Sequence, residues 1–142
     1  QSSRLYQKLV KEKEIFTSIS AFTMGTIDPG LLVVNGRIKD GIKLKDAEDA
    51  VNKLIDEFLT RGVTEEELEK VKNQAYSTLE FGEVEVMNRA MNLAFAKLSG
   101  DANYVNAEGK LIESVTTDDI QRVAREILRE ENSSVLYYKA KG

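Results

Sequence analysis

The sequence contains no cysteine and no histidine. The first absence excludes disulfides, thiol nucleophiles, thiolate metal sites and iron–sulfur clusters built by this chain. The second excludes Ser-His-Asp triads, histidine general bases and imidazole metal ligands. A zinc site would have to rest on carboxylates, whereas zinc favours nitrogen and sulfur donors. No apolar run approaches the roughly 18 residues of a transmembrane helix, and the opening Gln1-Ser2-Ser3-Arg4-Leu5 has no signal-peptide core. A basic excess is lacking too. The 20 Lys and Arg stand against 24 Asp and Glu, a formal net charge of −4, the wrong sign for a nucleic-acid face.

What is present suits one folded domain. The 142 residues are 42% hydrophobic and 31% charged, and a chain of this size buries about two-thirds of its unfolded surface. Ser2 or Ser3 is placed to cap a helix to about Lys13, with Leu5, Tyr6, Leu9 and Val10 on one face. Residues 15–24 alternate as a strand, with Phe16, Ser18, Ser20 and Phe22 on one side and Thr17, Ile19, Ala21 and Thr23 on the other. A turn over Gly25–Gly30, holding the single proline, leads to a second strand over Leu31–Ile38. That strand is apolar at consecutive positions, which predicts cover on both faces.

From Leu44 the period becomes helical. Leu44, Ala47, Val51, Leu54, Ile55 and Phe58 form a stripe, Asp49 and Lys53 can pair opposite it, and Gly62 is a stop. Thr64-Glu65-Glu66-Glu67 reads as a capping box opening a helix to Gly82. The next helix, Glu83 to Ser99, carries apolar residues over a wide arc and is predicted to be more buried than its neighbours, with Met87 and Met91 filling core gaps. A weaker helix through Tyr104 and Ile112 is interrupted by Gly109, and Thr116-Thr117-Asp118-Asp119 caps the last one. Val135–Lys139 reads as a final strand, with one of Tyr137 and Tyr138 buried. The class is α+β: an antiparallel sheet, three strands here, covered by about six helices. So few strands look incomplete for that many helices. Residues 1–142 are therefore read as a single partial domain whose sister strands lie upstream.

The clusters Glu65/Glu66/Glu67, Glu80/Glu83/Glu85 and Asp118/Asp119 could be drawn as metal sites or acid–base pairs. The first and last stand at helix N-termini, where capping accounts for them; the middle one flanks a helix joint. The glycines at 25, 30, 36 and 41 match no phosphate-binding motif. Tyr6, Tyr137 and Tyr138 could stack on bases, but the acidic surface opposes phosphate.

Three stretches together carry a resemblance. Ser2–Lys13 with its following strands is similar to S-R-L-x-x-x-L-R-E-K-x-x-x-x-Y-S-V, Gly62–Gln74 to G-V-T-E-E-E-L-x-x-x-K, and Val115–Ala124 to V-T-x-x-D-I-x-x-V-A. In that order the stretches resemble the insulinase/pitrilysin family of zinc metallopeptidases, the processing-peptidase type. The resemblance implies a two-lobed peptidase enclosing a chamber for unfolded peptides, with zinc held by an H-x-x-E-H helix and a distant Glu. That motif cannot be in this chain, so the chain resembles the second half of a C-terminal, non-catalytic lobe. Where several members place an Arg and a Tyr that hold substrate, this sequence has Val10 and Thr17, neither able to stabilise an oxyanion.

The expected function is thus the non-catalytic C-terminal region of a zinc metalloendopeptidase, walling the peptide chamber opposite the zinc lobe. No catalytic or metal-ligating residue is assigned, and Val10 and Thr17 are the cleft positions. Zinc is implied for the parent protein and none for this segment. The partners implied are a zinc-bearing lobe, in the same chain or a paired subunit, and unfolded peptides, with no nucleic acid and no membrane span. The alternative is a non-proteolytic structural or assembly subunit of the same fold. A self-standing binding module would need a complete sheet. Compartment stays open between cytoplasm and periplasm.

Overall fold

The computed structural model of the protein describes residues 3–25 and 29–139. The expected cap at Ser2 and the centre of the expected turn, residues 26–28, lie outside them. The class is α+β, and the chain divides into two compact units, residues 1–61 with 128–142 and residues 62–127.

The first unit opens on Ser3, whose hydroxyl accepts the Tyr6 amide at 3.4 Å, an N-cap contact. The expected helix follows but winds as a π-helix over Tyr6–Glu12. The Lys13 amide donates to the Lys8 carbonyl, five residues back, at 3.0 Å. The chain leaves through Glu14, left-handed at φ 52°, and the Ile15 amide closes on the Leu9 carbonyl at 2.9 Å. This six-residue reversal ends the helix as a Schellman cap does, and Leu9 is fully buried beneath it.

Strand β1 (Phe16–Met24) pairs antiparallel with β2 (Leu31–Ile38), Ile19 opposite Gly36 and Met24 opposite Leu31. The alternation expected for β1 is broken by a β-bulge between Phe16 and Ser18. Strict alternation would put positions 16 and 19 on opposite faces. The extra residue, Thr17, brings both to one face, and Phe16 and Ile19 are both buried. With Leu9 and Ala47 they form the core of this unit. Helix α1 (Leu44–Arg61) lays Ala47, Ala50, Val51 and Leu54 on it at helical spacing. Arg4 stands 5.4 Å over the Phe58 ring. Asp49 pairs with Lys45 at 3.3 Å, one turn back, where Lys53 was the expected partner.

Two expectations about strands are overturned. Cover on both faces of β2 is not observed: Leu31, Leu32 and Val34 are exposed. The core sits only under the Gly36–Ile38 end, so the rest of the hairpin stands clear of it. Val135–Lys139 is not a strand either, because no neighbour among the described residues offers it a ladder. The sheet is two-stranded among the described residues, where three strands were expected. Neither tyrosine of that segment is buried: Tyr137 is 45% and Tyr138 89% exposed.

The second unit is helical. Helix α2 (Glu65–Gly82) opens with the expected capping box: Thr64 N–H donates to Glu67 Oε2 at 2.9 Å, and Glu67 N–H to Thr64 Oγ1 at 3.2 Å. Helix α5 (Thr117–Ile127) repeats the device, Asp119 N–H donating to Thr116 Oγ1 and Thr116 N–H to Asp119 Oδ2, each at 3.1 Å. Helix α4 (Tyr104–Ser114) is continuous, where an interruption at Gly109 was expected. A Cβ at Gly109 would lie 3.3 Å from Cε2 of Tyr76, so the glycine admits the α2–α4 approach instead of ending the helix. Helix α3 (Val86–Leu98) reverses its expectation: it is the opposite of buried, with Met87 70% and Met91 49% exposed and only Ala96 inside. Its wide apolar arc states what the helix needs covered; the described residues cover only the Ala96 side.

Gly36 is the tightest joint of the hairpin, since a Cβ there would stand 2.6 Å from the Phe16 ring. Overpacking of this kind costs about 1–3 kcal/mol. We expect Gly36→Ala to lower stability by that amount in urea denaturation, while Gly41→Ala, with open space around it, lowers it only through its left-handed φ.

Candidate functional site

Val10 and Thr17, the positions expected in the cleft, fall on adjoining elements of the first unit. Val10 lies on the π-helix, half-buried and packed against the Leu9–Phe16–Ile19–Ala47 core. Thr17 is the bulged residue of β1, exposed, its hydroxyl donating to the Arg37 carbonyl at 3.0 Å. That bond ties the bulge to β2. At Val10 the side chain is apolar and points into packing; at Thr17 the polar group is spent on the backbone. Neither can donate to a developing charge.

Four carboxylates of the three acidic clusters have defined partners. Glu67 and Asp119 close capping boxes, and Glu65 accepts the Thr117 hydroxyl at 3.2 Å. Glu83, at the helix joint, takes Arg89 at 3.3 Å and the Asn92 amide at 3.4 Å. Among the described residues no three acidic side chains converge as metal ligands. With imidazole and thiolate lacking throughout the sequence, the donor set does not fit zinc.

One polar cluster has no local signature in the sequence. Lys45 reaches Glu48 at 2.7 Å and Asp49 at 3.3 Å, and the Tyr137 hydroxyl donates a hydrogen bond to Glu48. Lys45, then Tyr137, holds the Glu48 carboxyl below its ordinary range. Glu48 in turn raises the Tyr137 phenol and, with Asp49, the Lys45 ammonium. Tyr137 is 89 residues from Glu48, so spacing along the chain could not reveal the pair. Its effect is to pin the segment after the 3-10 turn Glu130–Asn132 against the first turns of α1.

The profile of the peptidase M16 inactive domain matches residues 1–75, which include the π-helix, the bulged hairpin, α1 and the capping box of α2. The chain belongs to this family. The fold of its relatives extends over both units. A candidate zinc protease from Bordetella pertussis Tohama I is 24% identical at a TM-score of 0.81, with 92% of this chain and 72% of that chain covered. The inactive peptidase domain of a candidate zinc protease from Bordetella parapertussis is 23% identical at 0.84, with 99% and 77% covered. A protease from Helicobacter pylori is 18% identical at 0.84, with 92% and 32% covered. No curated protein matches.

The exposed carboxylates set an acid limit. Glu48 is lowered by Lys45 and Tyr137, and Asp119 by the Thr116 hydroxyl and amide. A carboxyl lowered on folding stabilises above its unfolded value, about 4, and loses that contribution as pH falls through its folded value. The melting temperature should hold from neutral pH to about pH 5 and then fall. Thr116→Val, which removes the hydroxyl contacts to Asp119, should flatten the acid limb in circular-dichroism melts; an unchanged limb contradicts the assignment.

Proposed function

We propose that this domain is the non-catalytic C-terminal wall of a peptide chamber in a zinc metalloendopeptidase, facing a zinc-bearing lobe supplied by the same polypeptide or by a paired subunit. Residues 1–142 are in this reading a single partial domain, and strands outside them complete its sheet. What supports this most is membership of the inactive-domain family in a chain without histidine or cysteine. Zinc chemistry then belongs to the partner lobe. This chain's residues exclude water and shape the wall, with Val10 and Thr17 at cleft positions that contribute surface and no charge stabilisation. Unfolded peptides are the substrate class.

A second reading, a non-proteolytic structural or assembly subunit, is favoured by one observation: both cleft side chains have been diverted to packing and backbone contacts.

The test uses the full parent polypeptide, with any paired subunit, on an unstructured peptide. Hydrolysis is expected with about one zinc per complex, abolished by chelator, and the 142-residue chain alone should bind no stoichiometric zinc. A full complex that binds no zinc and leaves the peptide intact decides for the structural reading. Zinc-dependent cleavage by the chain alone overturns both.

A further inference from the structure

Helices α2, α3 and α4 of the second unit line an open groove of about 520 Å³, a volume in the range of small-molecule sites. Its walls are apolar where Val71 and Leu79 of α2 meet Ile112 of α4. Among the described residues one charged side chain lines it, that of Glu108 on α4. Glu108 is half-buried, and no hydrogen bond or ion pair takes up its carboxylate among the described residues. Glu65, Glu67, Glu83 and Asp119, by contrast, all have partners. A carboxylate drawn partly out of water against apolar walls is stabilised by a counter-charge.

The end of a helix adds to that demand. The groove reaches the C-terminus of α2, where Leu79 and Gly82 line it. The last turn of α2 carries no basic residue, so the negative end of its dipole meets no cation from its own helix. No lysine or arginine lines the groove either. Neutral oxygens complete the donor set. The Thr78 hydroxyl donates to the Gln74 carbonyl at 2.9 Å and keeps its lone pairs to accept. The Asn92 amide nitrogen is engaged by Glu83 at 3.4 Å, which leaves the amide oxygen as an acceptor. One carboxylate and two neutral oxygens are too few for calcium, which takes about six to eight oxygens. They match the three N–H donors of a primary ammonium.

We propose that this groove binds a primary ammonium on an aliphatic stem, its charge on Glu108 and its methylenes against Val71, Leu79 and Ile112. The stem keeps apolar contact while the cationic head reaches oxygen, as lysine side chains do at apolar surfaces. Two sources carry this chemistry, a free alkylamine and the lysine side chain of a bound peptide. The site lies wholly within residues 62–127 and involves neither the sheet nor the strands that complete it. The proposal does not depend on the chamber reading, since it concerns no zinc and no hydrolysis.

The test titrates the full parent polypeptide with pentylamine, its neutral isostere pentan-1-ol, and N-acetyl-lysine N-methylamide, followed by ligand-detected NMR relaxation. Pentylamine should bind saturably and at least tenfold more tightly than the alcohol, with affinity falling as salt rises. Glu108→Gln should lose at least tenfold for pentylamine while keeping the wild-type melting temperature. Gln74→Lys, which places a cation in the lining, should lose as much. Glu66→Gln, at an acidic residue outside the groove, should bind as the wild type does. A lysine amide bound as tightly as pentylamine upholds the site and assigns the ammonium to a peptide. At least tenfold preference for pentylamine over that amide upholds it and assigns a free amine. Equal binding of amine and alcohol, no saturable binding, or undiminished binding by Glu108→Gln overturns the proposal.

Discussion

The one extra residue at Thr17 is the constraint on which the first unit depends. Without the bulge, Phe16 and Ile19 would face opposite ways, and only one of them could pack in the core with Leu9. With it, two large side chains converge on the π-helix and α1, and Gly36 vacates the volume that the Phe16 ring requires. The bulge also decides what the surface presents. It consumes the Thr17 hydroxyl on the Arg37 carbonyl, so the strand edge beside the first helix offers no free donor at that position.

In the second unit, local electrostatics does comparable work. Thr64–Glu67 and Thr116–Asp119 each satisfy helix-end amides that would otherwise lack partners, and the early carboxylates complement the helix dipoles. The acidic character of the chain is thereby largely explained by helix starts and surface pairs. Glu65, Glu67, Glu83 and Asp119 each have a partner at hydrogen-bonding distance, and no three acidic side chains converge as metal ligands among the described residues.

Features set by neighbours within four residues were legible in the sequence. The capping boxes, the left-handed Gly62 after α1, and the Ala47–Val51–Leu54 stripe follow from spacing alone. Features set by distant chain were not. The alternation in residues 15–24 is unbroken as a string, and only packing against Leu9 and Gly36 makes a bulge at Thr17 favourable. The apolar arc of α3 reports a need for cover, and Met87 and Met91 look the same in sequence whether or not that need is met. Val135–Lys139 has the composition of a strand, but a strand is a property of a pair. Val10 and Thr17 stood out only through family resemblance, because neither residue carries chemistry of its own. The Tyr137–Glu48 contact had no signal at all.

In the proposed reading, labour is divided: this domain contributes shape, and metal chemistry belongs to groups outside it. Crystals of the full parent protein, measured on both sides of the zinc absorption edge, test this most directly. The account predicts an anomalous peak whose ligands all come from outside these 142 residues. A zinc ion ligated by any Asp or Glu of this chain would contradict it.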